Sequence, residues 1–94
     1  MSEEQLLEEL LEEKLVEDES EDGHQLVVFN DEVNTFDHVI DTLVKVCKHS
    51  STQAEQCTHI IHYNGKCSVK NGSFNELKPM RNAICDRGIS AEIS

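Results

Sequence analysis

Asn30, Asp31 and His62 are the side chains whose types and positions best support chemistry. Asn30 and Asp31 follow the apolar run Leu26-Val27-Val28-Phe29, and His62 stands near the end of a helical pattern. An amide oxygen, a carboxylate and an imidazole brought together at the ends of elements can converge on one small cationic group. The same residues also serve well as a turn cap and a helix-end residue, and spacing alone favours that plainer role.

Other constellations are weaker. Asp31 and Glu32 are adjacent acids, and paired carboxylates can split their pKa values for acid/base catalysis. Neighbouring acids ahead of a helix more often shape the turn and its dipole. Cys57, His59 and His62 lie within two helical turns and suggest a metal-binding or thiol-redox module. Closed zinc sites, however, draw ligand pairs from tight knuckles that this sequence lacks. Cys47 and Cys57 fall on apolar helix faces, where Cys behaves as a small hydrophobe. Neither G-x-x-x-x-G-K-[ST] nor G-x-G-x-x-G occurs, so no phosphate cradle is indicated.

The elements that position these residues read as follows. Leu26–Phe29 is short, β-branched and apolar on both parities, the pattern of a buried strand. Asn34 or Thr35 caps a helix whose stripe is Phe36, Val39, Ile40, Leu43, Val44 and Cys47, ending near Lys48-His49. Thr52 with Glu55 forms a capping box for a second helix with Ala54, Cys57, Ile60 and Ile61 inward, stopped by Gly65. A strand over Cys67–Lys70 closes at an Asn71-Gly72 turn. Pro79 argues against a helix beginning at Ser73, so a turn is predicted at 73–77 and a helix from Lys78 to Arg87. Ile89, Ala91 and Ile93 alternate as a last strand. The order β-α-α-β-α-β predicts a small α+β domain, a three-stranded sheet with helices on one face.

Charge divides the chain. The net charge is −11, and residues 1–22 hold 11 acidic residues and one Lys. Residues 1–23 are therefore read as an acidic arm and linker, and 24–94 as the domain. In the arm Leu6, Leu7, Leu10, Leu11, Leu15 and Val16 recur at helical spacing, opposite glutamates. No basic patch exists for nucleic acid or an anionic membrane. The start lacks a signal-peptide pattern and no apolar run is long enough to span a bilayer, so a cytoplasmic protein with free thiols is expected.

LVVFNDEVNTFDHVIDTLVKV, followed by HYNGK, resembles the ClpS adaptor family. The carrying motifs are Asn30-Asp31-Glu32 and His62-Tyr63-Asn64-Gly65-Lys66, and the resemblance runs from about Leu26 to the end. It implies the ClpS-like β-α-α-β-α-β fold, shared with the C-terminal domain of the ribosomal stalk protein. It implies a non-enzymatic adaptor without a cofactor, which binds proteins with a free N-terminal Leu, Phe, Tyr or Trp. Substrates would pass to the N-domain of a ClpA- or ClpC-type AAA+ unfoldase for degradation. By the resemblance, Asn30, Asp31 and His62, with Glu32 in a lesser role, hold the substrate α-amine. Phe36, Val39, Thr58, Ile61 and Ile89 line the pocket for its first side chain. Asn34-Thr35-Phe36 replaces a family Thr-Pro-Met, Thr58 stands where Met is frequent, and the third helix reads as about six residues short. A ClpS-like domain with a changed ligand is the related alternative.

Overall fold

Backbone pairing decides where the apolar run at Leu26 goes. In the computed structural model, which describes residues 23–94, strand β1 is His24–Phe29. It lies between β2 (Lys66–Gly72) and β3 (Ala91–Ile93), antiparallel to both. Three helices complete the order β1-α1-α2-β2-α3-β3: α1 is Phe36–Cys47, α2 Ser51–Asn64 and α3 Phe74–Asp86. This is the α+β architecture expected. The acidic arm and its leucine stripe lie outside the described residues.

Among the described residues, the helices cover one face of the sheet. Leu26 and Val28 are fully buried and join Leu43, Leu77 and Ile84 in the core. Val27 and Phe29, on the opposite parity, are only half-buried. Among the described residues, a strand apolar on both sides thus meets helices on one side only. Opposite the Leu26–Val27 step the register skips Val69, a β-bulge that puts an extra β2 residue against the core. β2 runs on through Asn71 and Gly72, which pair with Gln25 and His24, so the turn expected at Asn71-Gly72 is strand.

The helix ends follow local chemistry. Thr35 caps α1, its Oγ1 accepting from His38 N at 3.1 Å. Lys48 ends it in the left-handed region, with φ 60°. His49, buried beside that turn, donates from Nε2 to Val69 O at 2.6 Å and ties α1's end to β2. Ser50 caps α2 by accepting from Gln53 N, so the box expected at Thr52 and Glu55 falls inside the helix. The left-handed Lys48 and extended Ser50 reverse the chain in fewer residues than the sequence suggests. Ala54, Thr58 and Ile61 form the buried stripe of α2, whereas Ile60, expected inward, is 42% exposed. Gly65 ends α2 at φ 91°, its N–H donating to Ile61 O.

α3 departs most from expectation. Ser73 caps it, accepting from Glu76 N at 3.0 Å, and Pro79 sits inside the helix. The helix therefore spans 13 residues and starts before Lys78. Pro79 and Asn75 are both exposed, so the Asn75 carbonyl left without its helical donor can bond to water. Burial of Leu77 outweighs the proline penalty. Since Pro79 is exposed, Pro79→Ala should stabilise the domain by roughly 1–3 kcal/mol. Thermal melts should rise by about 4–8 °C per kcal/mol. An unchanged midpoint would mean that the helix begins beyond Pro79.

Candidate functional site

Two short connections meet at one end of the sheet. Asn30 ends β1, and its backbone N–H donates to Gly65 O at 2.8 Å. This bond holds the start of the Asn30–Thr35 loop against the C-terminus of α2, one turn beyond His62. Asn30 and His62 are thereby neighbours across the loop although 32 positions separate them in sequence. Both side chains are exposed to solvent.

Asp31 organises the loop. Its Oδ1 accepts from Val33 N at 2.9 Å and from Asn34 N at 2.7 Å, and its Oδ2 accepts from Asn34 Nδ2 at 2.6 Å. These bonds, the Asn34 backbone N–H foremost, hold the Asp31 carboxyl below the ordinary 3.8 against the opposing effect of desolvation. Asp31 is thus ionised at neutral pH, with its lone pairs committed to the loop's own N–H groups.

Asn34 bridges rather than caps, since the cap of α1 is Thr35. Its Nδ2 also donates to Gly88 O at 2.8 Å, bridging to the turn between α3 and β3. His38 Nε2 donates to Arg87 O at 2.9 Å in the same turn. Arg87 in return donates from Nη1 to Asp41 Oδ2 at 3.1 Å and to Thr42 Oγ1 at 3.2 Å, binding α3's end to α1. Arg87 first and Lys45 second hold the Asp41 carboxyl below its usual range. The loop is therefore braced from α1, α2 and α3.

Between loop and α2 lies a cleft of about 370 Å³. Its rim is polar: Asn30, Asp31, Glu32 and His62. Its interior is Phe36, Val39, Thr58 and Ile61, the last three nearly fully buried. Thr58 Oγ1 donates to Ala54 O at 2.7 Å, so its hydroxyl proton is spent within its own helix. Phe36 is half-buried and meets His59 edge-on at 4.7 Å, with His62 at 6.4 Å. Asn34 and Thr35 also line the cleft, where the sequence reading had them only as caps. Their position three and four residues after Asp31, in the same loop, was the available signal.

Ile89 stands elsewhere. Its N–H bonds Ile84 O as the chain leaves α3, and its side chain is 3% exposed within the core rather than in the cleft wall. The Cys57–His59–His62 set is not gathered either. Cys57 packs toward the core while His59 and His62 are exposed on the outer side of α2, and His59 Nε2 is 3.9 Å from Glu55. Among the described residues no group of three or more His, Cys, Asp or Glu is placed to hold a metal ion. Burial raises the thiols of Cys47 and Cys67 to about 11, which leaves both as poor nucleophiles at neutral pH.

What the arrangement can do is bind. Exposed acceptors beside a fixed carboxylate suit a compact cation with several N–H donors, and the buried floor suits an apolar side chain attached to it.

Comparison with known proteins agrees with the fold. A family model described as "ATP-dependent Clp protease adaptor protein ClpS" matches residues 19–91. The E3 ubiquitin-protein ligase UBR1 of Drosophila melanogaster is 37% identical over 65 residues, which are 67% of this chain. The chain spans only 4% of that protein's length. The structure of Agrobacterium tumefaciens ClpS2 bound to L-phenylalaninamide superposes with a TM-score of 0.73 at 14% identity, covering 76% of this chain and 93% of that one. At that identity the likeness is one of fold.

Proposed function

The chain belongs to the ClpS family of protease adaptors, and on that premise we propose that its cleft reads the free N-terminus of substrate proteins that begin with a bulky apolar residue. The observation that carries this reading is the convergence of Asn30, the Asp31 loop and His62 over the buried floor of Val39, Thr58 and Ile61. An α-ammonium taken from water needs partners for three N–H donors. Asn30 offers its amide oxygen and His62, when neutral, a ring nitrogen. Asp31 supplies negative charge and holds the loop, with Glu32 adding to the field. The first side chain, Leu, Phe, Tyr or Trp, enters between Phe36 and Thr58. Binding involves no covalent step, in keeping with an adaptor that is not itself an enzyme. The bound substrate is then handed to the N-domain of a ClpA- or ClpC-type unfoldase in the cytoplasm.

The test is a titration with fluorescent ten-residue peptides beginning with Leu or Phe, each beside its N-acetylated copy. Free peptides should bind with dissociation constants on the order of micromolar. Acetylation removes the charge and all but one donor, leaving acceptors unpaired, and should weaken binding by about 100-fold or more. Equal affinity for both forms would remove the amine from the recognised group.

A second reading concerns only the recipient. The identity to UBR1 favours a recognition module that serves a ubiquitin ligase instead of an unfoldase. Titration with an isolated ClpA or ClpC N-domain separates the two, because only the unfoldase reading requires binding there.

A further inference from the structure

A second groove runs along the outer side of the domain between α3 and β3. It has a volume of about 380 Å³ and is formed by Phe74, Lys78, Arg81, Glu92 and Ile93, sharing no residue with the cleft at Asn30. Its apolar part is the Phe74 ring, 44% exposed, and the half-buried Ile93. Its charged part is Lys78 and Arg81, three residues apart on α3. Among the described residues neither forms an ion pair, whereas Lys45 and Arg87 are both committed to Asp41. Arg81 instead donates from Nε to Ala91 O at 3.4 Å, which lays its guanidinium along the edge of β3.

We propose that this groove is the docking site of the chain's own N-terminal segment, residues 5–16. Three observations select that occupant. The described chain begins beside the groove, where the His24 ring meets the Phe74 ring edge-on at 5.9 Å. Residues 17–23 can span up to about 24 Å when extended, enough to let the segment double back onto α3. Its chemistry is complementary: Leu6, Leu7, Leu10 and Leu11 for the apolar floor, and Glu8, Glu9, Glu12 and Glu13 for the two unpaired cations. Glu92 on the far wall opposes the acids and directs them toward the α3 side. An isolated helix this short and this acidic is marginal in water, so its leucines require a surface. The sheet face at Val27 and Phe29 is less suited, since Lys66 opposite Phe29 is the cation in register with it, whereas the groove brings Lys78 and Arg81 together.

The experiment uses the full 94-residue chain, isotope-labelled, with amide hydrogen exchange and chemical shifts read by NMR. In the native chain the amides of residues 6–16 should exchange about tenfold slower than in an unstructured peptide. The double variant Lys78→Glu/Arg81→Glu should abolish that slowing while its far-ultraviolet circular dichroism keeps the body's signal. Adding Glu8→Lys/Glu12→Lys to that variant should restore it. In a separate chain, Leu7→Ser/Leu10→Ser/Leu11→Ser should shift the amides of Phe74, Lys78, Arg81 and Ile93 and spare those of Asn30–Thr35. Exchange indifferent to charge reversal, or shifts gathered at Val27 and Phe29, overturns the assignment. Protection that scales with protein concentration also overturns it, because the occupant is then a second copy's segment. None of these readouts involves substrate peptide, so this outcome is independent of the cleft's function.

Discussion

Replacement of Asp31 by Ala should lower affinity for peptides with a free hydrophobic N-terminus by about 30–100-fold, equivalent to roughly 2–3 kcal/mol. Two losses combine. The carboxylate is a negative charge lining the cleft, and it is also the acceptor of three bonds that shape the Asn30–Thr35 loop. Without them the loop must be ordered on binding, at about 1–2 kcal/mol per residue fixed. Folding stability should change little, by under about 1 kcal/mol, because the freed N–H groups lie near the surface and can bond to water. Asp31→Asn separates the contributions. It retains an oxygen for Val33 and Asn34 but removes the charge, and should recover part of the affinity. Peptide binding by Asp31→Ala at the native level would exclude Asp31 from the site.

The same residue sets the acid limit. Its folded pKa is below the ordinary 3.8, so its contribution to the loop is fully present above that value and is lost as pH falls through the lower folded one. Asp31 should therefore leave stability and loop shifts flat from pH 7 to about 5, with change beginning near 4. NMR titration of the Val33 and Asn34 amides reports this directly, and a midpoint above 3.8 would contradict the hydrogen bonding seen here.

Much of the frame was legible because it is local. Residue types at element ends point to Asn30, Asp31 and His62, and periodicity places Val39 and Ile61 on buried faces, while buried Thr58 enters only through the family resemblance. What the sequence hides is long-range. Nothing near Asn34 indicates that its amide will bond Gly88, 54 residues away, so it reads as a cap. By resemblance to the family Ile89 is expected in the cleft wall, yet the turn after α3 swings it into the core. Ile60 misleads because a helix with a narrow buried stripe has no room for two adjacent isoleucines facing inward. At Ser73–Leu77 the sequence contains both answers, a capping box and a proline six positions later. Propensity alone chooses the proline, while the folded chain chooses the burial of Leu77.

Leu77 should consequently be among the most sensitive positions in the domain. It is fully buried and lies two turns from Ile84 on the same face of α3, joining the core cluster with Leu26. Leu77→Ala should cost about 2–5 kcal/mol. Total stability for a domain of this size is roughly 4–10 kcal/mol, and the thermal midpoint should fall by about 10–30 °C. Helix propensity cannot cause this, since Ala is the better helix former. Were the segment an exposed turn, the same change would stay within about 0.5 kcal/mol. The consequence reaches the cleft by a specific route: α3 ends in the Arg87 and Gly88 carbonyls that hold His38 and Asn34. Well below its lowered midpoint the variant should bind peptide within about twofold of the native chain, because the cleft's own residues are intact. On warming, peptide affinity and helical signal should be lost together, earlier than in the native protein. Loss of affinity ahead of unfolding would show that α3 detaches from the loop as a separate unit.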